Sequence, residues 1–302
     1  MATVDPRPFA AGVGAWMLAA RPRTLPVSVA PVVVGTAVAA GEGGARMLPA
    51  LAALAGALLL QIGSNLANDL FDFERGADNA DRIGPPRAAQ QGLLTPGQLR
   101  GGIALVMLLA VAVGGVLVAI GGWPIAAAGV CALAAALAYT GGPWPFGYKG
   151  LGDPAVFVFF GVVAVVGTSY VQTGAFSTTA LLASLPVGAL ATAILVVNNT
   201  RDIETDAAAG KRTLAVRLGR SASVWEYRLL VFGAFAVLPL YHAAGHASMG
   251  VLAPFVLLPW AWRLERVVTT SRKGPPLNQA LADTARLGFA FALLFAPGLA
   301  WR

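Results

Sequence analysis

Nine apolar runs divide this chain of 302 residues, at 24–40, 48–70, 101–121, 122–140, 154–172, 179–199, 229–245, 248–264 and 280–300. A helix of about 20 apolar residues crosses the hydrocarbon of a bilayer. Backbone polar groups in lipid must be satisfied within the fold, so a chain of such runs folds as a bundle of helices. The expectation is an all-α, polytopic membrane protein with nine transmembrane helices in one domain spanning 1–302. Composition agrees: 57% of residues are hydrophobic and 12% are charged, against about 25% charged in a typical soluble domain. Mean hydropathy is +0.71. Pro31, Pro186 and Pro297 fall inside runs, where neighbouring helices can satisfy the freed carbonyls. Phe9 to Ala20 is apolar but short, and Arg21 and Arg23 follow it rather than precede it. It reads as an interfacial helix, not a signal peptide.

Charge orients the bundle. Nine spans put nineteen of the 21 Lys and Arg residues on one side, from Arg7, Arg21 and Arg23 through Arg82, Lys273 and Arg286. Arg46 and Arg302 are left on the other. Cytoplasmic loops carry such an excess, so the N-terminus is expected inside and the C-terminus outside. The net charge of +7 is explained by the same bias. Aromatic residues do not interleave with basic ones, so no nucleic-acid partner is expected.

Two of the runs end in unusual polar faces. Gln61, Asn65, Asn68 and Asp72 lie three or four residues apart, on one side of a helix. Asn198, Asp202 and Asp206 repeat the pattern at the end of the sixth run. Both sets fall on the cytoplasmic side. Polar stripes at the ends of membrane helices are costly against lipid and face a cavity or a ligand instead. A lone acid at a helix end is often only a cap; two matched sets on one face point to a site. Asn68, Asp72, Asp202 and Asp206 supply hard oxygens from two helices. Mg²⁺ takes such ligands, completed by water and substrate phosphate, and nearby Arg and Lys would balance a diphosphate. His242 and His246 lie on the opposite face and Cys131 is the lone cysteine, which argues against zinc or haem. Loops 71–100 and 200–228 are long enough to cap the site. Leu214 to Arg228 is expected as a short amphipathic helix over it.

Residues Arg21-Pro-Arg23-Thr-Leu-Pro26, Asn65-Leu-Ala-Asn68-Asp69-Leu-Phe-Asp72 with Asp78, and Asn198-Asn-Thr-Arg201-Asp202 through Asp206, Gly210 and Lys211 carry a resemblance. The chain resembles the UbiA superfamily of intramembrane prenyltransferases. Within it, the chain looks most like the 1,4-dihydroxy-2-naphthoate polyprenyltransferases of menaquinone synthesis. The resemblance implies a nine-helix bundle with a cytoplasmic-side cap and two pseudo-related halves, with Asp-rich motifs at 65–78 and 198–210. It also implies a place in a bacterial inner membrane. The implied reaction is Mg²⁺-dependent transfer of a polyprenyl group from its diphosphate to 1,4-dihydroxy-2-naphthoate. CO₂ and diphosphate would be lost and a demethylmenaquinol formed.

By that resemblance Asn68, Asp72, Asp202 and Asp206 are the metal ligands, with Tyr139 and Lys149 also catalytic. Arg75, Lys149, Arg201 and Lys211 are expected on the diphosphate. Arg23 would meet the acceptor carboxylate, and Tyr139 and Tyr148 the cation or the acceptor ring. Asn65, Asp69 and Asn198 would support the substrates. The superfamily pattern places its last acid of the first motif at position 76, which is Gly76 here; Asp78 stands two residues on. Asp153, ahead of Pro154, reads equally as the N-cap of the fifth span or as a catalytic group. Two rivals remain: another aromatic acceptor such as 4-hydroxybenzoate or homogentisate, and a transporter of cations or anionic lipids.

Overall fold

The computed structural model describes residues 12–78, 83–272 and 274–301, and every regular element among them is helical. Arg7, Arg82, Lys273, Arg302 and the start of the expected interfacial helix lie outside the described residues. α1 (Val13–Ala20) ends at Arg21, whose φ is 52°. A 3-10 turn (Pro22–Thr24) then leads into α2 (Pro26–Gly41), bent by 47° from the segment before it. α3 (Met47–Glu74), α4 (Pro96–Gly121) and α5 (Trp123–Ala138) follow. The second half of the chain holds α6 (Gly152–Thr173), α7 (Thr178–Arg201), the short α8 (Ile203–Ala208) and α9 (Leu214–Ala243). It closes with α10 (Leu258–Thr270) and α11 (Pro275–Ala300).

Six of these helices are long and apolar enough to cross a membrane, or seven with the bent pair before and at α2 counted as one. Nine were expected. Two of the nine runs fall short of the length. α5 has 16 residues, about 24 Å at 1.5 Å per residue. The eighth run becomes a 3-10 stretch, Met249–Leu257, running into α10, whose Arg263, Glu265 and Arg266 make it amphipathic. The separate helix expected over Leu214 to Arg228 is also not found. Thr213 caps α9 by accepting from the Val216 N–H, and the helix continues to Ala243 past a break at Gly219 (φ 79°). Only glycine takes that backbone geometry without strain.

Two cores form. One gathers α2, α6, α7, α9 and α11 around Val34, Val197, Val231, Phe291 and Phe295. The other joins α1, α3 and α4 to residues 88–94 through Leu66, Leu70, Leu94 and Leu99. α7 runs through the middle and is small-residue rich, which lets neighbours approach closely. A methyl on Gly161 would stand 2.8 Å from the Gly188 Cα, so α6 and α7 meet backbone to backbone. At that contact α6 widens into π-helix over Phe157–Val163. Beside it, α2 to α6 enclose a cavity of about 480 Å³ lined by Leu60, Leu117, Leu133, Phe159 and Val163, with Tyr139 and Phe146 at its wall.

α3 has 28 residues, about 42 Å long, which exceeds a hydrocarbon core of about 30 Å. Its last turns carry Asn68 and Asp72.

Candidate active site

The ends of α3 and α7 meet. A small polar pocket, about 20 Å³, is lined by Asp72, Asp78 and Arg87 from one half of the chain and Asn198, Asp202, Asp206 and Lys211 from the other. The two acidic faces read from the sequence thus converge.

Asp72 is buried and fully engaged. Tyr148 donates its hydroxyl to Asp72 Oδ1 at 2.8 Å, and Arg87 Nη2 stands 3.4 Å from Oδ2. Arg87 also reaches Asp78 with Nε, at 3.1 Å. One guanidinium therefore neutralises two buried carboxylates. The loop that carries it is pinned from below: Ala88 and Ala89 donate their N–H groups to Asp69 at 3.0 and 3.1 Å.

On the α7 side, Arg201 grips its neighbour Asp202 with two bonds, 2.7 Å from Nε and 2.5 Å from Nη2. It donates as well to Asn198 Oδ1 and to Asn278 Oδ1 of α11, each at 2.9 Å. Such bidentate charged bonds are the strong ones. Asp206 follows on α8, 8% exposed, with Lys211 Nζ 3.8 Å from its Oδ1. Its Oδ2 has no hydrogen-bond partner. Lys211 also lies over the Tyr148 ring, 5.2 Å from its centre, and Arg75 lies 5.7 Å from it.

Burial raises the Asp206 pKa to about 6; Lys211 pulls it down, but not enough to offset burial. Burial opposes the charge on Lys211, yet Asp72, Asp206, Asp202 and Asp78 together outweigh it and hold its pKa up. Burial and then the Asp72 charge push the Tyr148 hydroxyl well above the usual tyrosine range, so it stays a donor.

Several expected residues stand elsewhere. Asn65 spends its amide on the corner after α1, donating to the Ala20 carbonyl at 2.9 Å and to Thr24 Oγ1 at 3.1 Å. Asp69 holds the 88–89 loop rather than facing the pocket. Lys149 is exposed and no hydrogen bond or ion pair ties it to the cluster, because the turn Phe146–Lys149 directs Tyr148 inward and its neighbour out. Arg23 is exposed in its 3-10 turn, away from the pocket lining. Asn68 accepts from Thr140 Oγ1 at 2.9 Å and does not line the pocket either. Asp153 is no N-cap: α6 starts at Gly152 after Leu151, with no side-chain cap. Arg87 and Asn278 were missed, since no helical spacing links them to Asp72, Asp78 and Arg201.

Among the described residues, no three His, Cys, Asp or Glu side chains stand close enough to hold a metal by themselves. The acids are instead drawn toward Arg87, Arg201 and Lys211. The donor chemistry still fits Mg²⁺, which is usually held by one or two carboxylates with water and substrate phosphate. The unpartnered, buried Asp206 Oδ2 is an oxygen of that kind.

Comparison with known proteins agrees with this geometry. The UbiA prenyltransferase family model matches residues 28–296. A 1,4-dihydroxy-2-naphthoate octaprenyltransferase of Mycobacterium tuberculosis is 42% identical, over 95% of this chain and 97% of its own. A protein of the same name from Escherichia coli is 36% identical, over 94% of both chains. The fold matches a UbiA homolog from Archaeoglobus fulgidus, solved bound to DMAPP and Mg²⁺, with TM-score 0.62 and 15% identity over 92% of this chain and 99% of that one. Matched along nearly its whole length, and with both acidic motifs in one pocket, the chain belongs to the UbiA prenyltransferase family.

Proposed function

We propose that this protein transfers a polyprenyl group from its diphosphate to 1,4-dihydroxy-2-naphthoate, as its curated relatives are named for doing. The observation that carries the proposal is the placement of one basic, acid-rich pocket beside one large apolar cavity. Tyr139 and Phe146, both at the cavity wall, pack edge to face, and Phe146 opens the short turn whose Tyr148 donates to Asp72 of the pocket. The diphosphate would occupy the polar side and the isoprenoid chain the apolar side.

Asp72, Asp202 and Asp206 would hold Mg²⁺ together with phosphate oxygens, and Asn68 would join them only by giving up the bond it accepts from Thr140. When bound, the ion would neutralise charge growing on the leaving diphosphate. The chain's own cations do the same work from fixed positions: Lys211 and Arg75 flank Tyr148, while Arg87 and Arg201 stand behind the acids. The allylic C–O bond breaks, and the ring carbon bearing the carboxylate attacks the allylic carbon. CO₂ then leaves, and its bonding electrons restore the aromatic ring. The apolar cavity excludes water, which would otherwise capture the cation; the ring faces of Tyr139 and Phe146 would stabilise it.

The pocket holds room for about one water, so a diphosphate enters only as the resident ion pairs open. We place the pocket at the cytoplasmic face of a bacterial inner membrane, with the N-terminus inside and the C-terminus outside. In that placement α5 and the stretch 249–270 complete nine crossings in spite of their length. The test is an acceptor panel with purified protein. Naphthoate should be prenylated only when Mg²⁺ is added; turnover with 4-hydroxybenzoate or homogentisate alone would sink the assignment.

A further inference from the structure

Among the described residues, Asp153 is a buried acid that no basic side chain pairs with. It is 4% exposed, and both of its carboxylate oxygens are buried without a hydrogen-bond partner from another residue. No Lys or Arg pairs with it. An unpaired carboxylate in such a place is costly to keep charged. As noted above, it caps no helix. Its neighbours border the apolar cavity. Ala155 and Val156, on the same turn of α6, line the apolar cavity, and so does Tyr139. The Tyr139 hydroxyl would touch a methyl placed on Gly152, at 2.9 Å, so it lies against the first turn of α6. Asp153 is the acid whose charge Tyr139 feels most; Asp72 and Asp206 come after it. Glu226 of α9 carries a charge that Asp153 opposes.

Given the prenyl-transfer reading above, we propose that Asp153 receives the proton of the aromatic acceptor through Tyr139. The acceptor's hydroxyl gives its proton to Tyr139 Oη while the tyrosine's own proton passes to a carboxylate oxygen of Asp153, across a bond that the resting fold does not make and that forms as the acceptor binds. One O–H bond breaks at the acceptor and one forms at Asp153. The negative charge moves from the carboxylate to the acceptor ring, which then attacks the allylic carbon as an aryloxide. Tyr139 touches the substrate; Asp153 acts behind it. The substrate class is thus a phenol, and the unpaired acid is kept for the reaction rather than for the fold.

The test uses full-length protein with Asp153→Asn, Tyr139→Phe and the double variant, reading kcat, both KM values and melting temperature. Asp153→Asn should lower kcat about 100-fold, in the range of lost acid–base help. The KM for prenyl diphosphate should stay within about twofold, and melting should be no lower than in the parent, because a buried charge has gone. Tyr139→Phe should match it, and the double variant should be no worse than either single one, as for groups acting in series. Undiminished kcat in Asp153→Asn, a lowered melting temperature, or losses that multiply in the double variant would each overturn the proposal. Parent protein that prenylates no phenol would instead overturn the reading on which it rests.

Discussion

Tyr148 and Asp72 are joined by a 2.8 Å bond across 76 positions of sequence. The same tyrosine ring lies beneath Arg75 and Lys211. One side chain thus aligns an acid with two cations, and it does so from a loop that also borders the apolar cavity.

Removing that hydroxyl isolates its role. A hydrogen bond to a charged group is worth about 1.5–3 kcal/mol, which is roughly 10- to 100-fold in an equilibrium or rate. Tyr148→Phe keeps the ring under both cations. It should lower kcat/KM for prenyl diphosphate by about tenfold or more, with acceptor KM unchanged. Steady-state kinetics at fixed Mg²⁺ would show it; an unaltered kcat/KM would mean that Asp72 needs no such support.

Arg87 should be a stability residue as much as a site residue. Its removal takes the shared guanidinium from two buried acids, Asp72 and Asp78, and breaking a buried pair costs about 3–5 kcal/mol. Arg87→Met should lower the melting temperature in detergent by several degrees. Adding Asp78→Asn should recover part of the loss. No recovery in the double variant would mean that the Arg87–Asp78 pair is not what holds the loop.

Asp206 gives stability a pH dependence with a definite sign. Its pKa rises from an ordinary 3.8 to about 6 in the fold, chiefly through burial. The folded state therefore favours the protonated acid. Its contribution is full below about pH 4 and is lost as pH rises through about 6. Asp206→Asn removes this dependence. Without Mg²⁺, the melting temperature of the variant relative to the parent should climb between pH 4 and pH 7. A difference that is flat with pH would contradict the assignment.

Asp69 lies in the first acidic motif, yet its partners are the backbone N–H groups of Ala88 and Ala89. Asp69→Ala leaves two buried donors unsatisfied, at about 1–3 kcal/mol each. Thermal stability should fall markedly, while Mg²⁺ affinity per folded molecule, measured by calorimetry, should hold within about threefold. A large selective loss of Mg²⁺ affinity would return Asp69 to the site.

Much of this arrangement was readable beforehand, and the limits are physical. Helical spacing gave the shared faces of Asp72 and of Asp202 with Asp206, because local geometry sets which side chains point together. Hydropathy gave the helical runs but not their lengths: the run at 248–264 begins as 3-10 turns around Pro254. Spacing also put Gln61, Asn65, Asn68 and Asp72 on one stripe without revealing that depth divides it. The inner part ties down the corner after α1, and Asp72 alone reaches the pocket. Lys149 and Tyr148 look equally suited to a diphosphate in sequence; the turn decides between them. Arg87 finds Asp72 and Asp78 only through the folding of a loop, which no local pattern encodes.

The pairing of Asp72 with Arg87, of Asp202 with Arg201 and of Asp206 with Lys211 bears on the idle enzyme. With Asp78, four neighbouring acids would otherwise push the two halves of the bundle apart whenever no substrate is present. Because the protein brings its own counterions, the vacant enzyme can keep its shape between turnovers without borrowing a cation from the cell. Each arriving diphosphate then trades places with partners that were already there.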